Sequence, residues 1–173
     1  MRNFVLGVIA CLVVILGGVF IAGALGLVPS NADAKPSALE RWYARMALDA
    51  AIKRGESQQP NPVALTDENL LNGMHLYKEN CAACHGGADG TPSNIAQGLY
   101  QRPPQLGKHG VEDDSAGETY WKVEHGIRLT GMPAFSKTLT DTQMWQITLF
   151  LQKMDNLPPA VRAAWQARTL SLF

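Results

Sequence analysis

Two cysteines and a histidine lie within one short stretch, CAACH, at residues 81–85. Such a string suits a thioredoxin-like redox pair, a structural zinc site or covalent haem attachment. The third cysteine, Cys11, lies in a distant apolar run, so zinc lacks a second pair of ligands at matching spacing. The flanking residues also lack the βαβ pattern expected around a redox pair. The spacing therefore favours haem attached through Cys81 and Cys84, with His85 as one iron ligand.

A six-coordinate haem iron needs a second axial ligand. Met132 lies in a Gly-Met-Pro turn, where the backbone restrictions of its neighbours would hold a thioether in place with little entropy to lose. Met144 and Met154 instead fit the apolar stripe of a helix, and core packing is the usual role of methionine. His109 lies in a glycine-flanked loop and is the alternative, which would give a bis-histidine iron. We therefore predict Met132, with His109 as its rival.

The elements around these residues are predicted to be helical. Thr66 is a suitable N-cap for a helix that runs straight into Cys81, and Thr140 with Gln143 has the spacing of a capping box. Another capping box, Ser115 with Glu118, opens a helix that Gly126 would close. We expect about three helices between residues 67 and 155 and find no convincing strand.

The stretch from Gly86 to Gly110 is rich in glycine and proline and shows no hydrophobic period. A structureless loop of this length normally argues against a compact fold. It makes sense if the loop wraps around a large rigid ligand that supplies the missing core.

The N-terminal stretch from Phe4 to Val28 contains no charged residue. A helix needs about 20 apolar residues to cross a bilayer, whereas the apolar part of a cleaved signal peptide is usually ~7–15 residues long. The length therefore favours an uncleaved transmembrane anchor. An Ala-Asp-Ala string at residues 32–34 imitates a cleavage site and keeps the signal peptide as the alternative.

Residues 38–54 are predicted to form an amphipathic helix beside the anchor. Its apolar positions recur at helical spacing: Leu39, Trp42, Tyr43, Met46 and Ala50. The helix could lie on lipid headgroups, dock on a partner subunit, or simply cover part of the globular domain. Residues 57–62 are interpreted as a linker. In the tail, Pro158 and Pro159 can start a short helix that carries Val161 and Trp165 and packs on the domain.

Several motifs occur together between Thr66 and about Asn156: CAACH, PPQL at residues 103–106, TGMPAF at residues 130–135 and the helix MWQITLFLQKM. In this combination the region resembles a class I c-type cytochrome, especially the compact bacterial kind. The resemblance implies an all-α fold around one covalent haem c. It also implies a role for each of these residues: thioether bonds from Cys81 and Cys84, axial ligation by His85 and Met132, a hydrogen bond from His85 to the carbonyl of Pro104, and Trp121 beside a haem propionate.

The resemblance further implies that Gly73 and Tyr77 of the first helix of the domain cross Phe150 and Leu151 of its last. It implies translocation of the haem domain too, because c-type haem is attached outside the cytoplasm. Charge counting does not favour this topology, since only Arg2 and the amino terminus lie on the cytoplasmic side, while the other flank carries Lys35, Arg41 and Arg45.

These observations predict four segments: a transmembrane anchor (1–30), a juxtamembrane helix and linker (31–65), a cytochrome c domain (66–156) and a C-terminal extension (157–173). The predicted function is one-electron transfer, without catalysis and without a small-molecule substrate, on the periplasmic side of the inner membrane. Partners would be an oxidase or a dehydrogenase of a respiratory chain, and the alternative is an obligate subunit of such a complex. A net charge of zero argues against nucleic acid as the main partner. An enzyme or gas sensor would need an open iron position.

Overall fold

A computed structural model describes residues 1–107, 110–111 and 113–167. The described residues form eight α-helices, two 3₁₀ turns and no β-strand. The helices are α1 Arg2–Ala24, α2 Ala38–Gly55, α3 Asp67–Asn80, α4 Ala82–His85, α5 Asn94–Gly98, α6 Ala116–His125, α7 Asp141–Lys153 and α8 Pro159–Gln166. The 3₁₀ turns are Phe135–Lys137 and Met154–Asn156. The predicted all-α class is confirmed.

The chain divides into two compact units, Met1–Ala34 and Lys35–Phe173. The first unit is α1 and the short segment after it. This helix has 23 residues, none of them buried within the structure. It is long and apolar enough to cross a membrane, a property that it shares with signal sequences.

In the second unit, α3 and α7 cross at Gly73. A Cβ atom at this position would come within 2.1 Å of the carbonyl oxygen of Gln146 and 3.0 Å of the Cβ of Phe150. Glycine is therefore required for the two backbones to approach so closely. The predicted crossing of the first and last helices of the domain is confirmed at Gly73, Tyr77 and Phe150.

The helix starts follow the predicted caps. Thr66 accepts a hydrogen bond from the backbone of Asn69, and Ser115 accepts one from Glu118. Thr140 and Gln143 form a complete capping box. Helix α5, which begins after Ser93, is absent from the sequence prediction because it lies in the glycine-rich stretch.

The core lies mainly between α3, α7 and α8. Met144 and Met154 are buried there, as predicted, and so are Val161 and Trp165 of the tail. Their burial confirms that the short C-terminal helix packs on the domain. Residues 168–173 of the extension lie outside the described part of the chain.

The segment interpreted as a linker is also docked. The side chain of Asn61 donates a hydrogen bond to the carbonyl of Trp145, at 3.0 Å. The backbone of Ser57 lies so close to Gly117 that a Cβ there would approach the Ser57 carbonyl oxygen to 1.9 Å. Residues 57–62 thus follow the surface of α6 and α7 instead of spanning free space.

Candidate cofactor site

The CAACH motif spans the junction of α3 and α4. Cys81 caps the end of α3, and its carbonyl accepts hydrogen bonds from the backbone of Cys84 at 3.0 Å and of His85 at 2.8 Å. One helical turn therefore holds both thiols and the imidazole, and all three residues line the same cavity. The short spacing of the motif is what allows a single turn to present them together.

Tyr77 supports this turn from the core. Its hydroxyl donates to the carbonyl of Gly86 at 2.9 Å and lies 3.2 Å from that of His85. Its ring packs against Phe150 and Trp165, with centroid distances of 5.7 and 5.6 Å. Burial raises the pKa of Tyr77 well above its usual range, with a smaller contribution from Cys81, so the hydroxyl keeps its hydrogen. The tyrosine thus fixes the backbone that carries His85.

The PPQL segment holds the motif from the other direction. The backbone of Leu106 donates to the carbonyl of His85 at 2.9 Å, and the amide of Gln105 donates to that of Cys84 at 3.0 Å. The Nδ1 atom of His85 lies 2.9 Å from the carbonyl oxygen of Pro104. This is the contact that the resemblance to cytochromes implies. Sequence reasoning missed Gln105, whose amide role has no local pattern.

The hydrogen bond to Pro104 determines the chemistry of the His85 ring. A carbonyl can only accept, so Nδ1 must carry the hydrogen, and the lone pair of a neutral ring is then on Nε2. Burial lowers the pKa of His85, and the hydrogen bond to Pro104 acts in the opposite direction with less effect. The ring is therefore neutral near pH 7, the form in which imidazole binds a metal.

Met132 lies on a loop closed by its own hydrogen bonds. The hydroxyl of Thr130 donates to the carbonyl of Ile127 at 2.7 Å and accepts from the backbone of Met132 at 3.1 Å. The backbone of Ile127 donates to the carbonyl of Met132 at 3.2 Å. Gly126 starts the loop at φ +63°, and a Cβ there would come within 2.6 Å of the Met132 carbonyl oxygen. The thioether of Met132 is thus carried by a constrained backbone, and Met132 lines the same cavity as His85.

The cavity has a volume of about 320 Å³, within the range of ~300–1,000 Å³ for cofactor and ligand sites. Its wall is mostly apolar. The apolar side chains come from several elements: Leu48, Leu99, Leu106, Val111, Val123, Ile127, Phe135 and Leu151. Leu48 belongs to α2, which sequence reasoning placed outside the domain. The residues of the glycine-rich stretch that line the cavity agree with the expectation that this loop wraps a ligand.

One side of the cavity is polar. Lys122 lies 2.7 Å from carboxylate oxygens of both Asp114 and Glu118. Burial acts to lower the pKa of Lys122, but the hydrogen bonds and charges of the two acids outweigh it, so the pKa is raised and the ammonium is kept. Beside it, the buried hydroxyl of Thr119 has no hydrogen-bond partner among the described residues. An unpaired buried hydroxyl at a cavity wall is suited to a polar group of a ligand.

Two other predicted candidates, Trp121 and His125, are not among the residues that line this cavity. Trp121 does not line it among the described residues, and its indole packs against Gly55 and the ring of His125. Its placement beside a propionate stays a prediction without a contact to support it. His125 is at the C-terminus of α6, where a helix dipole favours a basic group. His109, the alternative ligand, lies outside the described residues.

These residues fit a covalently attached haem. The wall offers two thiols on one turn, a neutral imidazole, a thioether, an apolar lining and an unpaired hydroxyl. A redox-active cysteine pair fits less well, because burial, with a contribution from Cys84, raises the pKa of Cys81 to about 12. A thiol with such a pKa is a poor nucleophile at neutral pH.

Comparison with known proteins agrees with this chemistry. Residues 68–151 match the family described as cytochrome C oxidase, cbb3-type, subunit III. Cytochrome c6 of Thermosynechococcus vestitus is 30% identical over 90 residues, which cover 52% of this chain and 73% of the relative. Cytochrome c6 of Parathermosynechococcus lividus is 29% identical over 83 residues, which cover 48% of this chain and 87% of the relative.

The chain therefore belongs to the class I c-type cytochromes. Its cofactor is covalently bound haem c, and membership of this family implies haem-based electron transfer.

Proposed function

We propose that this protein is a membrane-anchored monohaem cytochrome that carries single electrons between respiratory or dehydrogenase partners on the periplasmic side of the inner membrane. The proposal rests on one observation: a single, mostly apolar cavity is lined by Cys81, Cys84, His85 and Met132. When bound, haem supplies an iron that takes up and releases one electron. The residues of this chain would attach the haem, bind its iron and surround it with an apolar wall.

The cysteines hold the cofactor. Cys81 and Cys84 would each form a thioether bond, and α4 keeps the two sulfurs one turn apart. Covalent attachment removes any need to retain the haem by burial alone. The polar side of the cavity would receive the carboxylates of the haem, with the hydroxyl of Thr119 and the ammonium of Lys122 as donors.

His85 and Met132 would hold the haem iron through an imidazole nitrogen and a thioether sulfur. The carbonyl of Pro104 orients the imidazole and increases its basicity, which is the usual role of such an outer partner. The closed loop around Met132 keeps the thioether in position without a large loss of entropy on binding. A Met/His pair raises the reduction potential, and an apolar surrounding acts in the same direction.

Residues 1–30 are proposed to be the anchor, because α1 is apolar over its length and buries none of its side chains in the first unit. Residues 66–156 are proposed as the cytochrome domain, flanked by the segment 31–65 and the extension 157–173. Anchoring would confine the haem to the membrane surface and raise its effective concentration near membrane-bound partners.

A second candidate is an obligate subunit of a membrane respiratory complex. The family description, which names a subunit of a cytochrome oxidase, favours it. Purification in mild detergent separates the two proposals. A chain that elutes alone and still exchanges electrons with added partners supports the carrier, whereas co-purification with fixed subunits at constant ratio supports the complex.

The ligand assignment is tested with Met132→Ala in the full haem-loaded chain. We expect the iron–thioether charge-transfer band to disappear, carbon monoxide to bind the reduced protein, and the reduction potential to fall. The control is Met46→Ala, an exposed residue of α2 that does not line the cavity. If Met132→Ala keeps a six-coordinate spectrum that resists carbon monoxide, the assignment is wrong and His109 must be tested next.

A further inference from the structure

Helix α2 carries apolar side chains on two opposite sides. Its inner face, Leu48, Ala51 and Ile52, is turned to the cytochrome domain: Ile52 is buried, Ala51 is half-buried and Leu48 lines the haem cavity. Its outer face consists of Leu39, Trp42, Tyr43 and Met46, which are 71%, 60%, 61% and 45% exposed. Successive residues of an α-helix are rotated by about 100°, so residues 48 and 52 lie opposite residues 39, 43 and 46.

The exposed outer face corrects one interpretation of the sequence. The apolar positions from Leu39 to Met46 do not cover the domain, since they are exposed. The domain is contacted by the inner face of the same helix. Single exposed apolar residues are ordinary, but a contiguous group with two aromatic rings marks an interaction surface. The question is therefore what this surface contacts.

Basic side chains accompany the outer face. Arg45 and Arg54 lie towards its two edges, Lys53 lies in line with it, and all three are exposed. None of them takes part in the ion pairs found in the described part of the chain. Asp49 and Glu40 are the acidic residues nearest the face, so the three basic residues still leave a positive balance. An apolar centre with tryptophan, tyrosine and neighbouring cations matches an anionic membrane surface, where rings lie at the headgroup level and cations meet phosphate.

We propose that the outer face of α2 lies on the anionic lipid surface of the membrane into which α1 inserts. The inference rests on the proposed anchoring and adds a second membrane contact to it. Residues 25–37 join the two helices and can span at most about 45 Å, so α2 begins within reach of the bilayer. A protein partner would need an apolar patch and negative charges at matching positions. An anionic bilayer surface offers acyl chains for the aromatic centre and phosphates for the positive charges at the same time.

With its inner face on the cavity and its outer face on lipid, α2 would determine the distance between the haem and the membrane surface. Leu48 forms part of the cavity wall, and the outer face lies across the same helix. A helix with its side chains is about 10–12 Å thick, so the cavity is held roughly that far from the headgroups. Electron exchange would then take place close to the membrane plane.

The test uses full-length, haem-loaded protein in vesicles of phosphatidylcholine with phosphatidylglycerol. Cys81 and Cys84 are consumed by haem attachment, so a single free thiol can be placed at will. Met46→Cys reports the outer face in a Cys11→Ala background, and Ala163→Cys, at an exposed position on α8, is the matched control in the same background. The rate of reaction with a charged maleimide is measured, together with adducts from a photoactivatable lipid. Retention of the haem spectrum checks folding.

We expect the Met46→Cys variant to react at least about tenfold more slowly than the Ala163→Cys variant, since the rate scales with the fraction of molecules whose face is open. Lipid adducts should appear in the peptide that contains residues 38–53. Replacing either Arg45 or Lys53 by Gln should raise the rate of the Met46→Cys variant by up to about fivefold in the anionic vesicles, and replacing both should bring it close to the rate of the control. In vesicles of phosphatidylcholine alone, the same replacements should have little effect.

Equal rates for the Met46→Cys and Ala163→Cys variants would overturn the proposal. Slow reaction of Met46→Cys without lipid adducts would also overturn it, because a second protein chain would then cover the face. A separate measurement on the native chain, whose Cys11 lies on α1, distinguishes these failures from failure of the anchor. If Cys11 is shielded and forms lipid adducts while the thiol of Met46→Cys is open, the anchor stands and the surface contact is wrong. If Cys11 also reacts freely, the anchoring itself is wrong.

Discussion

Helices α2 and α8 both lie outside the part of the chain that matches the cytochrome family, yet they pack in different ways. Helix α8 places Val161 and Trp165, 0% and 6% exposed, into the core. Helix α2 buries Ile52, lends Leu48 to the cavity and leaves Trp42 60% exposed. A helix whose single apolar face is already covered needs no further partner, whereas a helix with two apolar faces still has one to cover. The comparison separates a structural extension from a surface available for contact.

The largest effect is expected from the tryptophan of α8, Trp165, compared with the tryptophan of α2, Trp42. Trp165→Ala should lower the free energy of unfolding by about 3–5 kcal/mol, because it empties a site between Tyr77 and Phe150. Trp42→Ala, its counterpart on α2, should change it by less than about 0.5 kcal/mol. Urea unfolding of the haem-loaded protein, followed by circular dichroism, measures both. Similar losses for the two variants would remove the distinction between the helices.

The second prediction concerns the contact between α6 and the segment that follows α2. Gly117→Ala places a Cβ against the backbone of Ser57, which must move, and should cost about 1–3 kcal/mol of stability. Gly98→Ala is the control, since nothing lies within 4 Å of a Cβ there. The same unfolding experiment compares them. If Gly117→Ala were as stable as the control, the segment would not be held against α6.

The third prediction tests the inner face of α2. Leu48→Ala should cost about 1–2 kcal/mol, less than a fully buried leucine, because the side chain is half-buried. It should also lower the reduction potential, since water gains access to an apolar wall of the haem cavity. Redox titration and urea unfolding measure the two effects. Tyr43→Ala, on the outer face, should leave the potential unchanged, and an equal shift in both variants would contradict the assignment of faces.

The smallest effect is expected from Tyr77, which lies in the core covered by α8 and makes the free energy of unfolding depend on pH. The pKa of Tyr77 is raised in the folded state by burial, so its stabilising contribution is complete below the unfolded value near 10 and decreases above it. Between pH 10 and 11, each such group lowers the free energy of unfolding by up to about 1.4 kcal/mol per pH unit. Tyr77→Phe should lose this part of the slope in urea unfolding at stepped pH. An unchanged slope would show that the hydroxyl ionises as readily when folded.

The sequence predicted the parts of the site that depend on near neighbours. The caps at Thr66, Ser115 and Thr140 each act over three residues, and the helices begin where they indicate. Long-range partners had weaker signals. The amide of Gln105 and the hydroxyl of Thr119 have no local pattern, because their positions depend on how the loop and α6 pack against the motif.

The sequence by itself determined the attachment chemistry, since Cys81, Cys84 and His85 share one turn and their spacing is fixed by the geometry of a single helix. It also determined the all-α class through caps and periodicity. Only the tertiary structure shows that Met132 lines the same cavity, and only the tertiary structure decides which side of α2 contacts the domain. Both sides of that helix are apolar enough to be buried. The choice depends on shape and contact with α6, which no local pattern of residues encodes.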